Sequence, residues 1–257
     1  MAKDEAKQEA TAPADDWTRR GEERLDRAAK LAGQITPSGL AERIGEAVVG
    51  QDDAVRRVAI QLHHHLVTRV VRAASGMPVV SPVRLRPVAL VGPSGCGKSS
   101  IFAQVARITG LVCITPNLAQ TSETAYYGIS VEDHLGEALR LAGNHVPLGE
   151  CTVAMWDEWD KKAKAPNTWG RDAAGEGVQS GLLRVLDGGQ VQIPVQSMEG
   201  SGTGQTRGVA YRTFNCQNLL CFLAGAFEGI EEIVARRLVG RRRIGFGAGP
   251  GCDVRSM

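Results

Sequence analysis

Residues 88–99 read Val-Ala-Leu-Val-Gly-Pro-Ser-Gly-Cys-Gly-Lys-Ser, the most informative segment of the sequence. Four apolar residues that end in glycine predict a buried strand, and a helix is expected at residues 98–109. The turn between them meets the spacing GxxxxGK[ST] in full. Its glycines let the backbone curl until the N–H groups point at phosphate oxygens, and the helix start adds a favourable dipole. The stretch therefore predicts a phosphate-binding loop.

The chemistry of this loop assigns a role to each of its residues. Lys98 would hold the β- and γ-phosphates of ATP and assist catalysis, and the Ser99 hydroxyl would bind Mg²⁺. The other loop residues would contact the nucleotide: Gly92, Pro93, Ser94, Gly95, Cys96, Gly97 and Ser100. A glycine-rich turn with a surface lysine is the alternative, which the complete motif between strand and helix disfavours.

A second apolar strand, residues 153–156, ends in two carboxylates, Asp157 and Glu158. They follow Lys98 by about 60 residues, a distance that suits a nearby strand of the same sheet. Asp157 would hold the Mg²⁺ shell, and Glu158 would accept a proton from the attacking water. Acidic residues follow many strands, so this pattern indicates a catalytic site only because a phosphate-binding loop precedes it in the chain.

Strands and helices alternate along the chain, which predicts an α/β fold: a parallel sheet flanked by helices. Strands are expected at residues 88–91, 111–115, 151–156, 191–195 and 219–223, with a loop rich in Gly, Ser and Thr between the last two. Helices are expected at residues 38–44, 52–73, 98–109, 131–142, 177–186 and 228–238. A polar tail and then an exposed helix at residues 17–32 should precede them.

The 257 residues are 43% hydrophobic and 23% charged with a net charge of +2, which excludes a disordered or fibrous chain. No nucleic-acid partner is expected, because the charge is near neutral and no basic stripe is interleaved with aromatics. No apolar run reaches the ~18–20 residues of a membrane helix. Six cysteines without a CxxC pair argue against a zinc module or a disulfide scaffold, so a cytoplasmic protein is expected.

Several collinear motifs resemble the ClpX family of AAA+ unfoldases, with the HslU family as a second choice. They are the phosphate-binding loop and residues 48–51, 156–164, 175–179, 182–183, 224–227 and 244–247. The resemblance implies an AAA+ core, a P-loop NTPase fold, with its large ATPase subdomain at residues 38–247. Residues 1–37 would then be a polar tail and exposed helix, and residues 248–257 a flexible tail.

The resemblance also implies contacts that the residues alone leave open. Val49 and Gly50 would contact the adenine base, although a plain turn before a helix remains the alternative. Tyr126 and Tyr127, in the segment 122–128, would line an axial pore and grip a polypeptide substrate. A flat ring can wedge against any peptide backbone, which suits such a grip. Two tyrosines packed on the neighbouring helix are the alternative.

Partner contacts are implied near the end of the sequence. Ile244, Gly245 and Phe246 resemble the tripeptide by which ClpX docks on the ClpP protease, with a tail packed on its own core as the alternative. The arginine finger and helical lid of the family are not matched. The expected fold therefore has an N-terminal helical extension and no C-terminal lid, and a homo-oligomeric ring is expected where other groups replace the lid.

Two hypotheses of function follow. The first is an ATP-driven motor that couples hydrolysis of Mg-ATP to unfolding and translocation of a polypeptide. The second is a truncated nucleotide-binding module with weak or no hydrolysis, which acts as a regulator or needs a partner subunit. The two hypotheses differ in whether hydrolysis is fast without the family's arginine finger, since such an arginine can contribute ~10³–10⁵ in rate.

Overall fold

The computed structural model describes residues 14–77, 85–121, 129–162, 173–199 and 206–240. Helices α1–α9 span, in order, Ala14–Gln34, Pro37–Gly45, Asp52–His65, Val71–Ala74, Lys98–Thr109, Val131–Leu141, Val146–Glu150, Ala173–Leu186 and Ile230–Gly240. A π-helical turn, Leu66–Val70, joins α3 to α4. Strands β1–β6 span Val88–Val91, Cys113–Ile114, Val153–Trp156, Gln190–Glu199, Thr206–Asn215 and Leu220–Gly225.

The central sheet has four parallel strands in the order β1-β6-β3-β2. Phe222 of β6 pairs with Met155 of β3 and therefore shares its face, whereas Trp156 points to the other face. Phe102 of α5 contacts Phe222 edge-on, and His134 of α6 contacts Trp156 edge-on. Helices α5 and α6 thus lie on opposite faces. This confirms the predicted parallel sheet flanked by helices.

The predicted strand at residues 191–195 lies outside this sheet. It belongs to β4, which pairs with β5 as an antiparallel two-stranded ribbon. The prediction of a loop throughout the stretch before β6 is wrong, because residues 206–215 form β5. Val191, Ile193 and Phe214 are buried, whereas Gln192 and other residues between them are exposed. These three buried apolar residues therefore hold β4 and β5 on the domain.

Helix α1 is not simply exposed, so that expectation is wrong for one of its faces. Leu25, Ala28 and Ala32 are only 3%, 0% and 6% exposed. The approach is close, since an ideal Cβ placed on Gly21 would lie 2.5 Å from the Cβ of His145. Interleaved charges conceal this narrow apolar stripe in the sequence, and the stripe joins α1 to the core.

All five cysteines in the described ranges are free, and three of them are buried: Cys151, Cys216 and Cys221. Across the same ranges, no helix combines the length and the apolar character that crossing a membrane requires.

Candidate nucleotide site

Three strand ends meet at one edge of the sheet. Because β1, β6 and β3 are parallel neighbours, the segments that follow them emerge side by side. They line a cavity of about 360 Å³. Eight of its lining residues were predicted as site residues: Ser94, Gly95, Gly97, Lys98, Ser99, Ser100, Asp157 and Glu158. The structure therefore brings the phosphate-binding loop and the two acids to one cavity.

The loop has the tight curvature that its glycines predict. Gly95 and Gly97 have φ angles of +79° and +98°, a left-handed region that strains other residues. Gly97 is also the N-cap of α5, so the loop runs directly into the helix start. An ideal Cβ placed on Gly92 would lie 2.9 Å from Cys96 Sγ. The backbone N–H groups and the helix dipole thereby suit an anion.

The Lys98 ammonium is held at the base of this loop. Its Nζ donates to the carbonyl oxygens of Gly92 at 2.7 Å and Pro93 at 2.9 Å. The Sγ of Cys96 lies 3.8 Å away. Of the loop residues predicted to contact nucleotide, Gly92, Pro93 and Cys96 thus face the lysine, and they are not among the residues that line the cavity.

The acids follow β3 in a constrained turn. The Asp157 N–H donates to the Pro116 carbonyl at 2.9 Å, and the Asp157 carbonyl accepts from Leu118 N–H at 3.0 Å. The Glu158 N–H donates to Asp157 Oδ1 at 2.9 Å. Glu158 has φ +56°, a left-handed conformation that costs a non-glycine residue roughly 1–3 kcal/mol. Such backbone strain at a cavity is a feature of functional sites.

A third wall of the cavity follows β6, and sequence reasoning missed most of it. Gly225, Ala226 and Glu228 line the cavity, together with Asp160 from the acidic side. Asp160 Oδ2 accepts a hydrogen bond from the Phe227 N–H at 3.3 Å. The sequence analysis assigned Asp160 no role of its own, although it lies only three residues after Asp157. Glu228 has no such proximity to a predicted catalytic residue in the sequence.

The segment 48–51 lies beside the phosphate-binding loop. Gln51 Nε2 donates to the Cys96 carbonyl at 3.0 Å. Gly50 has φ +77°, and Val49 is 91% exposed. Neither residue is among those that line the cavity. The contact of Val49 and Gly50 with the adenine base therefore stays a prediction.

The other predicted contacts fall outside the described residues. These residues are Tyr126, Tyr127, Ile244, Gly245 and Phe246. Their roles as pore and docking residues remain predictions.

The fold and the cavity together define a nucleotide-binding protein built around a phosphate-binding loop. Residues 88–225, more than half of the chain, match the ATPase family associated with various cellular activities (AAA). The chain belongs to this AAA family of ATP hydrolases.

Comparison with curated proteins shows which members of the AAA family this chain is similar to. The chain is 30% identical over 231 residues to "ATP-dependent Clp protease ATP-binding subunit ClpX 3" of Methylococcus capsulatus, covering 86% of this chain and 52% of the relative. It is 31% identical over 204 residues to the ClpX subunit of Bacteroides fragilis, covering 79% of this chain and 47% of the relative. The chain thus spans about half the length of the curated relatives it matches.

Proposed function

We propose that this chain binds Mg-ATP in the cavity, hydrolyses it, and uses the energy to unfold and translocate a polypeptide. One observation is the main support for ATP hydrolysis: the phosphate-binding loop and the acidic pair Asp157 and Glu158 line the same cavity. The similarity to relatives named as ATP-binding subunits of an ATP-dependent protease supports the polypeptide substrate.

The residues of the cavity fit both the nucleotide and its metal ion. The left-handed glycines form the cradle, and Lys98 would pair with the β- and γ-phosphates. The Ser99 hydroxyl and the Asp157 carboxylate offer the oxygen ligands that Mg²⁺ prefers, and the phosphates would supply others. Bound Mg²⁺ would neutralise charge on the phosphates. Glu158 would accept the proton of the attacking water, and backbone N–H groups of the loop would orient the phosphates.

Steady-state ATP hydrolysis, measured across a series of protein concentrations, tests this assignment. Glu158→Gln should keep ATP binding and lower turnover by about 10²–10⁴-fold, because the general base is lost. Lys98→Ala should weaken ATP binding itself, because the loop loses its cation. Glu137→Gln is the matched control, since Glu137 is 44% exposed on α6 and pairs with Arg140.

The outcomes separate the two hypotheses. Turnover that rises with protein concentration and vanishes in Glu158→Gln supports a motor assembled from several copies. Tight ATP binding without turnover would favour the nucleotide-binding module that needs a partner subunit. Absence of ATP binding would contradict both.

The substrate and partner contacts form the outer part of the proposal. Tyr126 and Tyr127 would grip the polypeptide in a homo-oligomeric cytoplasmic ring, with Val49 and Gly50 against the adenine. Ile244, Gly245 and Phe246 would dock on a ClpP-like protease. Replacing both tyrosines with Ala should abolish unfolding of a tagged fluorescent protein and leave ATP turnover intact. Equal loss of both activities would contradict the grip.

A further inference from the structure

Strand β6 lies between the two halves of the proposed catalytic site. In the described sheet it pairs with β1, which leads to the phosphate-binding loop, and with β3, which leads to Glu158. We call residues 157–161 the acidic turn and residues 225–228 the β6 turn. Within the sheet, the distance between Glu158 and the phosphate-binding loop is therefore set through β6.

Direct contacts continue this link beyond the strands. On one side, Asp160 Oδ2 of the acidic turn accepts from the Phe227 N–H at 3.3 Å. On the other side, the Gly92 N–H of the phosphate-binding loop donates to the Gly225 carbonyl at 3.2 Å. The β6 turn is thus hydrogen-bonded to both catalytic segments, and Asp160 is the side chain that makes the first connection.

Close contact reinforces the hydrogen bond. An ideal Cβ placed on Gly225 would lie 2.6 Å from Asp160 Oδ1 and 2.9 Å from the Phe227 ring. Only glycine therefore lets Asp160 approach the β6 turn this closely. The Asp160 side chain is 12% exposed, so its hydrogen bond is protected from water.

Backbone strain on both sides indicates that the two turns hold each other. Glu158 and Phe227 both have φ +56°, a conformation that persists only where surrounding structure enforces it. The acidic turn is closed by a hydrogen bond from Lys161 N–H to the Glu158 carbonyl at 3.0 Å, and Asp160 lies inside this closure. Asp160 therefore connects the two strained residues.

We propose that Asp160 is a positioning residue that sets the distance between Glu158 and the phosphate-binding loop. This inference rests on the proposed function, in which Glu158 is the general base. Asp160 acts by fixing the β6 turn, through which the acidic turn and the loop are aligned. A misplacement of about 1 Å in such an arrangement can lower the rate by about a hundredfold.

Two substitutions separate the hydrogen bond from the charge. Asp160→Ala should lower kcat at least about tenfold with the KM for ATP little changed, since the phosphate cradle is intact. Asp160→Asn should retain most of kcat, because its amide oxygen still accepts from the Phe227 N–H. The exposed Asp187 provides the control, with Asp187→Ala expected to match the unchanged protein. Unchanged kcat in Asp160→Ala, or equal losses in Asp160→Ala and Asp160→Asn, would overturn the proposal.

Binding of ADP–aluminium fluoride, compared with binding of ADP, gives a readout that a merely structural role would not move. Asp160→Ala should lose at least about tenfold in affinity for ADP–aluminium fluoride and little for ADP. Parallel losses for the two ligands would mean that the site has collapsed, and would overturn the positioning role.

A stability cycle tests the contact without any turnover. Gly225→Ala should unfold at lower urea concentration than the unchanged protein, because its Cβ meets Asp160. Combining it with Asp160→Ala removes the clash with Asp160 and leaves only the contact with the Phe227 ring, so the loss in the double variant should be smaller than the two single losses added. Additive losses would overturn the contact. A coupled cycle in a protein that binds ATP without hydrolysing it would instead overturn the proposed function and retain the contact.

Discussion

Acid should destabilise this domain through one buried histidine. Burial lowers the pKa of His65 to about 4, and the hydrogen bond between its Nε2 and the Cys151 carbonyl opposes that shift only in part. The two atoms are 3.1 Å apart. Its Nδ1 has no hydrogen-bond partner within the described ranges. His65 is therefore neutral in the folded protein at neutral pH.

The sign and size of the effect follow from linkage. The pKa of His65 is 6.5 in the unfolded chain and about 4 in the folded protein, so the unfolded chain binds the proton more readily. The contribution to stability is complete above pH 6.5 and is lost as the pH falls toward 4. Each pKa unit corresponds to ~1.4 kcal/mol, which gives roughly 3 kcal/mol over the full range and roughly 2 kcal/mol at pH 5.

Urea unfolding at pH 7.5, 6.5, 5.5 and 5.0 measures this loss, with His65→Gln as the comparison. Glutamine does not titrate, and its amide can still donate to the Cys151 carbonyl. The difference in unfolding free energy between the two proteins should change by roughly 2 kcal/mol from pH 7.5 to pH 5, with the histidine form losing more. His63→Gln, at a partly exposed position, is the control. Parallel pH profiles of the unchanged protein and His65→Gln would contradict the lowered pKa of His65.

Two further predictions concern the fold. Gly21→Ala should cost about 1–3 kcal/mol of unfolding free energy, because its Cβ would collide with His145, the N-cap residue of α7. Gly33→Ala is the control and should be neutral or stabilising, because nothing lies within 4 Å of its added Cβ. Equal urea midpoints for the two variants would contradict the close approach of α1 to α7. Burial raises the pKa of the Cys216 and Cys221 thiols to about 12. A thiol reagent at pH 8 should therefore modify these two cysteines only after urea unfolds the chain, as measured by peptide mapping. Rapid labelling of either cysteine in the native protein would contradict their burial.

The phosphate-binding region could be predicted because its signals are local. Strand β1 and helix α5 begin and end where the sequence analysis expected them. Glycines, apolar run and helix start all lie within a short stretch, so no distant contact was needed. Asp157 and Glu158 at the end of β3 could be predicted in the same way once the phosphate-binding loop had been identified.

The errors come from structure that depends on distant partners. Strand β5 was missed because it follows a stretch rich in Gly, Ser and Thr, and its burial depends on Phe214 facing the domain core. The stripe on α1 is buried because the π-helical turn, α4 and α7 pack against it, and all three lie far from α1 in the chain. The contact of Asp160 with the β6 turn joins segments far apart in the chain, and no spacing rule within one segment predicts it.

The order of the strands also constrains how the domain folds. Strand β6 is the last of the four to be synthesised, yet it occupies the interior of the sheet. Until it arrives, β1 and β3 have no shared neighbour and present unpaired edges, which are prone to aggregation. Such long-range pairings form slowly, because a long chain segment must first be closed into a loop. We therefore expect the nucleotide cavity to form late in folding and a nascent chain to bind ATP only once β6 has inserted.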